Sequence, residues 1–167
     1  MSKASAGGAL VNFAKLFAGA LILFVGALIS FVNPALAADD AATLDAQRLF
    51  KQFVDLEHAY DPAQADLFAS SAVIKDKRVY QEGPTKTFNW TGDNYKAIIK
   101  AQLPVQKARS EQFAYSQVSY AHEGNNVRIK CTRTSSQRKF SAPFEMVLAP
   151  TGKQGYKIIE EIFQSQP

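Results

Sequence analysis

Between residues 112 and 163 the chain is strand-like in four successive runs separated by turn residues, the first three of them alternating apolar and polar side chains. Residues 112–122 carry Phe113 and Tyr115 on one face and Val118 and Tyr120 on the other. Residues 127–134 set Val127, Ile129 and Cys131 against Arg128, Lys130 and Thr132. Residues 139–149 line up Phe140, Ala142, Phe144, Met146 and Leu148, and residues 156–163 end the series. Glu123-Gly124-Asn125-Asn126, Ser135-Ser136-Gln137 and Thr151-Gly152-Lys153-Gln154-Gly155 separate the runs. A period of two over such lengths predicts half-buried antiparallel strands joined by hairpins. A sheet of this kind has one apolar face to cover, and the upstream residues must supply the cover.

Those residues read as helices. Ala46, Leu49, Phe50, Phe53, Leu56 and Tyr60 recur every three or four positions, which predicts a helix from Leu44 to about Tyr60 after a loose lead-in at residues 38–42. Asp61-Pro62 then caps and starts a short second helix presenting Ala65, Leu67 and Phe68. Residues 72–75 and 78–81 read as two short strands, Gly83-Pro84 as a turn, and residues 86–90 as a further brief strand. Thr91-Gly92-Asp93 opens a third helix whose stripe is Tyr95, Ile98, Ile99 and Leu103, and Pro104 bends or ends it.

The N-terminal residues carry an address. Lys3 and Lys15 precede an uncharged, largely apolar stretch over residues 16–32, followed by Asn33-Pro34-Ala35-Leu36-Ala37. A basic segment, an apolar segment and a small-x-small box are the parts of a bacterial-type export signal, with cleavage expected after Ala37. As a helix the apolar stretch spans about 26 Å at roughly 1.5 Å per residue, short of a bilayer core of about 30 Å. The expected organisation is therefore a signal peptide at 1–37 and one domain at 38–167, periplasmic or secreted. Contact with a membrane is expected only if the leader stays uncleaved.

Of 19 basic and 15 acidic residues in the chain, the leader holds two basic ones, so the remaining 130 residues balance at +2. The bases are scattered, in groups such as Lys75, Lys77 and Arg78, or Arg133, Arg138 and Lys139, and read as solvated strand ends. No nucleic-acid partner is expected. Cys131 is the single cysteine, so no internal disulfide forms; in phase with Val127 and Ile129, it reads as a buried structural thiol. His58 and His122 lie far apart with no ligand spacing, and neither a metal nor a cofactor is expected.

The order of elements is uncommon, and two segments sharpen it. Leu67-Phe68-Ala69-Ser70-Ser71-Ala72-Val73-Ile74 leads into the first strand. Phe144-Glu145-Met146-Val147-Leu148, a Gly-containing turn and Tyr156-Lys157-Ile158-Ile159-Glu160 form the last hairpin. Together they resemble the nuclear transport factor 2-like (NTF2-like) superfamily, which includes SnoaL-like and ketosteroid isomerase-like proteins. The resemblance implies an α+β cone, a curved antiparallel sheet wrapped on three helices from the N-terminal half, with a cavity between them. In that superfamily the cavity serves isomerases, dehydratases, cyclases and epoxide hydrolases, and also binding modules without chemistry. Fold alone does not choose among these.

Counted from Phe68, the superfamily's isomerase base corresponds to Asp76. The two groups that stabilise its enolate, a phenol and a protonated acid, correspond to positions near Phe53 and Phe144, and neither side chain donates a hydrogen bond. One such donor is worth about 2.7–4 kcal/mol, so an isomerase of that type is disfavoured, with Tyr60 or Tyr115 as the available substitutes. Asp76 sits in Lys75-Asp76-Lys77-Arg78, which reads either as a solvated acid among bases or as a pocket base. Glu57 falls within the first helix's apolar stripe, facing the pocket or fraying into solvent. Glu160 and Glu161 are adjacent, so one of them looks inward, paired with Arg128 or Arg133 or serving the pocket.

The leading expectation is an exported module that binds a small apolar ligand or a protein partner without catalysis. Phe53, Tyr60, Trp90, Tyr95, Phe113, Tyr115 and Phe144 are its candidate ligand contacts, and a homodimer through the outer sheet face is expected. The alternative is an isomerase, dehydratase or hydrolase using Asp76 or Glu57 as general base.

Overall fold

The computed structural model describes residues 34–80, 83–152 and 155–166. The leader expected at 1–37 lies outside them, apart from the backbone of its last four residues. Helix α1 (Pro34–Ala59) is followed by a 3₁₀ helix (Pro62–Leu67), strands β1 (Phe68–Arg78) and β2 (Lys86–Thr91), and helix α2 (Gly92–Ala108). The meander β3 (Phe113–Glu123), β4 (Asn126–Ser135), β5 (Ser141–Pro150) and β6 (Tyr156–Ser165) completes the chain.

Two boundaries differ from expectation. The lead-in at 38–42 is helical, in keeping with the alanine content of residues 35–42, the strongest helix former. The two short strands expected around Asp76 are one eleven-residue strand, because β1 is paired on both sides across Val73 to Arg78. Pro104 lies inside α2, which continues to Ala108.

Helix α1 ends in a Schellman turn. The amide of Asp61 donates to the Leu56 carbonyl and that of Tyr60 to the Glu57 carbonyl, with Tyr60 in the left-handed region at φ 54°. This aims the chain into the 3₁₀ helix, whose first exposed amide, on Ala63, is capped by Asp61.

The strands form one six-stranded sheet in the order β2-β1-β6-β5-β4-β3. It is mixed rather than wholly antiparallel: β6 returns from the meander to the free edge of β1 and runs parallel to it. Register shifts in the β1–β6, β3–β4 and β5–β6 pairs mark bulges, which bend strands and curve the sheet.

Two bulges also change which side chains face inward. On β3, Ser116 pairs with Thr132 and Ser119 with Lys130, so Gln117 (φ 55°) and Val118 are taken up in a bulge. Tyr120 thereby joins Phe113 and Tyr115 on the inner face, opposite buried Ile129, instead of facing away from them. On β6, Leu148 pairs with Ile158 and Val147 with Glu160. Strict alternation would place Ile158, Glu160 and Ile162 together. The bulge instead puts Ile158, Glu161 and Phe163 inside.

The inner face packs on α1 and α2. Ala46, Leu49, Phe50 and Phe53 of α1 and Ile99 and Leu103 of α2 meet Ile74, Ile129, Phe144, Met146, Leu148 and Ile158 of the sheet. Cys131 is buried there too, and burial pushes its thiol up to about 11, consistent with an inert packing group. Outward, Arg128 bridges Glu123, Glu145 and Glu160, and Lys75 reaches Glu160.

Gly92 lets α2 start against β1. A methyl group added there would stand 1.9 Å from the Ala69 carbonyl oxygen, a backbone atom that cannot swing aside. Gly92→Ala is expected to cost about 1–3 kcal/mol, visible as a lower urea midpoint; an unchanged midpoint would show that the helix can shift freely.

Candidate functional site

Sheet register assembles the site in rows across the inner face. Trp90, Ile74, Glu161, Met146 and Ile129 are successive Cα partners from β2 to β4. The next row runs Phe88, Asp76, Phe163, Phe144 and Cys131. Each otherwise apolar row therefore holds one acid. Arg133 follows on β4, two residues beyond Cys131 and in the same phase as Val127 and Ile129, with Tyr115 as its partner on β3.

Above these rows lies a cavity of about 430 Å³, open to solvent, between α1, α2 and the sheet. Phe53, Trp90, Tyr95, Phe113, Phe140 and Phe163 supply aromatic wall, with Ile98, Ile99 and Leu103 from α2. Glu57, Asp76, Glu161 and Arg133 line it as well, and Glu111, Arg109 and Arg138 sit toward the 109–111 and 138–140 turns.

Buried charge is concentrated at Arg133. Its Nη2 donates to Glu57 Oε1 at 2.7 Å, and Tyr115 Oη donates to Glu57 Oε2 at 2.8 Å. The guanidinium lies over the Phe113 ring, 3.5 Å from its centroid. Burial disfavours the charge on Arg133, but the acidic groups around it, Tyr115, Glu57, Tyr95 and Glu161, outweigh this and hold it protonated. Glu161, 1% exposed, accepts from Tyr95 Oη at 3.0 Å through Oε1 alone. Burial pushes its carboxyl up to about 7, against the opposing pull of Arg133 and Tyr95. Tyr95 and Tyr115 titrate well above the usual phenol range, burial being the main cause in both.

Asp76, the expected base, is not the solvated acid its basic neighbours suggest. It is 2% exposed and lines the cavity, where Oδ1 accepts from Ser165 Oγ at 2.6 Å and Oδ2 from Arg78 at 3.1 Å. Glu57 is likewise inside, 6% exposed. Of the expected ligand contacts, Phe53, Trp90, Tyr95 and Phe113 line the cavity. Phe144 does not: it is fully buried core beneath Phe53 and Tyr115. Tyr115 backs the cavity through Glu57, and the Tyr60 side chain packs against the core cluster; neither lines the cavity. His58 and His122 are exposed, His58 against the Phe113 carbonyl and His122 against Thr43.

On sequence Arg133 reads with the solvated bases, although its phase on β4 places it with Val127, Ile129 and Cys131. Glu111, held by Ser135 Oγ at 3.1 Å with Arg138 3.6 Å away, has no periodic signal.

Neither a family model nor a curated protein sequence matches the chain. Solved structures do. An NTF2-like protein with a cystatin-like fold from Novosphingobium aromaticivorans is 12% identical, with a TM-score of 0.58 over 78% of this chain and 86% of that one. An NTF2-like protein of unknown function from Pseudomonas putida is also 12% identical, TM-score 0.60, over 75% and 87%. A cystatin-like-fold protein of unknown function from Nostoc punctiforme is 14% identical, TM-score 0.54, over 75% and 91%. The chain has the NTF2-like fold.

Proposed function

We propose that the chain is an exported binding module that holds a small, flat, largely apolar molecule in this cavity without transforming it. The cavity itself carries the reading: its volume and aromatic walls suit a small molecule, and among its many polar side chains Glu57, Arg133 and Glu161 act on one another in one region. The disposition of the carboxylates supports binding over catalysis. Both oxygens of Glu57 and both of Asp76 already accept hydrogen bonds and each acid is paired with an arginine, so a substrate proton taken by either would weaken a standing ion pair. Export rests on the leader sequence, Lys3 to Ala37.

One observation favours a second reading. Glu161 has a free oxygen, lies beside Tyr95 and titrates close to neutrality, as an acid–base catalyst requires. An enzyme built on this cavity would use Glu161 rather than Asp76.

Native mass spectrometry of the protein purified from its source tests the proposal, with a co-purifying small molecule expected. Trp90 is the only tryptophan and lines the cavity, so its fluorescence reports occupancy. Saturable change on titration with 3-phenylpropan-1-ol is expected. A bare protein by mass spectrometry, together with no saturable change for any small aromatic probe, would overturn the reading.

A further inference from the structure

Among the described residues, two buried side-chain atoms have no hydrogen-bond partner in the protein: Arg133 Nε and Glu161 Oε2. Both belong to cavity-lining side chains, and each residue's charge acts on the other's titration. An orphaned buried polar atom costs free energy that a partner recovers, so two on side chains that line one cavity point to a group that completes both.

Arg133 Nε–H only donates. Glu161 Oε1 accepts from Tyr95, so when the carboxyl is protonated its hydrogen sits on Oε2 and points a second donor. Two donors fit a carboxylate. When Glu161 is ionised, one donor and one acceptor remain, and the undissociated acid form of the same ligand fits those. A carboxylic acid thus satisfies both atoms in either arrangement with one proton between the pair. The aromatic side chains of the wall, with Ile98, Ile99 and Leu103, favour an apolar remainder of the molecule.

We propose that the cavity takes a small apolar carboxylic acid, its carboxyl group seated between the Arg133 guanidinium and the Glu161 carboxyl, with one proton shared by the two acids. This rests on the small-molecule reading above and names the ligand class. The groups facing Glu161 are Tyr95 from α2, Arg133 from β4, Tyr115 from β3 and Glu57 from α1. On β1, Ile74 is its Cα partner, with Asp76 two residues on and already held by Arg78 and Ser165; on β5 it meets apolar Met146. Glu57 is neutralised by Arg133, so the shared proton is what keeps a bound carboxylate from facing a second anion.

The test compares 3-phenylpropionate, 3-phenylpropanamide and 3-phenylpropan-1-ol on the full chain, by Trp90 fluorescence and calorimetry from pH 5.5 to 9. At pH 6 the acid is expected to bind about tenfold or more tighter than the alcohol. Below about pH 7 its affinity should be flat, because Glu161 already carries the proton. Above that the dissociation constant should rise roughly tenfold per pH unit, with uptake of about one proton. Glu161→Gln, whose amide donates at every pH, should keep acid binding at pH 8.5 and abolish the slope.

Equal binding of acid and alcohol would overturn the carboxylate assignment and leave the small-molecule reading standing. Failure of all three probes would overturn this proposal, and with a bare protein by native mass spectrometry it would remove the small-molecule reading as well. Tighter amide than acid would show that the floor takes a neutral donor–acceptor group. Acid binding that ignores pH, or a slope that survives in Glu161→Gln, would place the carboxylate elsewhere, at Arg109 on the cavity margin, and overturn the proposal.

Discussion

Replacing Arg133 by methionine is expected to destabilise the fold by about 3–5 kcal/mol, because it strands the buried Glu57 carboxylate without its cation. The loss also removes the guanidinium from the Phe113 ring. The penalty belongs to the orphaned partner more than to the pair. Replacing Glu57 by leucine in the same chain should therefore recover a large part of it, since burying two ions costs much of what their attraction returns. Urea denaturation of the two single variants and the double variant closes the cycle. If the single losses simply add, the two side chains are not coupled and the ion pair does not organise the floor.

The second large effect is a pH dependence. Glu161 titrates near 7 in the fold against an ordinary value of 4.5. Between those values the folded chain binds more protons than the unfolded one, so its stability declines as pH rises through the window. The contribution is complete below about pH 4.5 and gone above about pH 7.5. It amounts to about 3 kcal/mol, at 1.36 kcal/mol per unit. Glu161→Gln cannot ionise and should lose none of it. The difference between the two stability curves isolates this carboxyl, since every other titrating group is common to both. Parallel curves from pH 4.5 to 7.5 would show that Glu161 is ionised at no cost, and would remove the chemical basis for a proton-coupled site.

Most of the scaffold was legible because it rests on period. The stripe Ala46, Leu49, Phe50 and Phe53 predicted α1's buried face, and alternation in β4 and β5 placed Ile129, Cys131, Phe144 and Met146 inside. Period fails where an extra residue is stored in a bulge. Tyr120 reads as facing away from Tyr115 until the bulge at 117–118 brings both inward. The solvation of charged residues was the other weak point. Asp76 among Lys75, Lys77 and Arg78 looks like surface, yet β1 is covered on both edges and Asp76 shares its inward phase with Ile74. Arg133 hid behind its charge in the same way, although its phase matched that of Cys131. A buried ion pair is visible only when both partners are placed, and Glu57 and Arg133 stand 76 residues apart.

The chemistry of the cavity floor is written in spacing more than in residue type. Two glutamates stand side by side on the last strand, and one supernumerary residue, near Ile159, decides which of them ends in the dark and which pairs with Lys75 and Arg128 in the light. A comparison with distant relatives that sets its gap one column away would hand the interior role to the wrong glutamate.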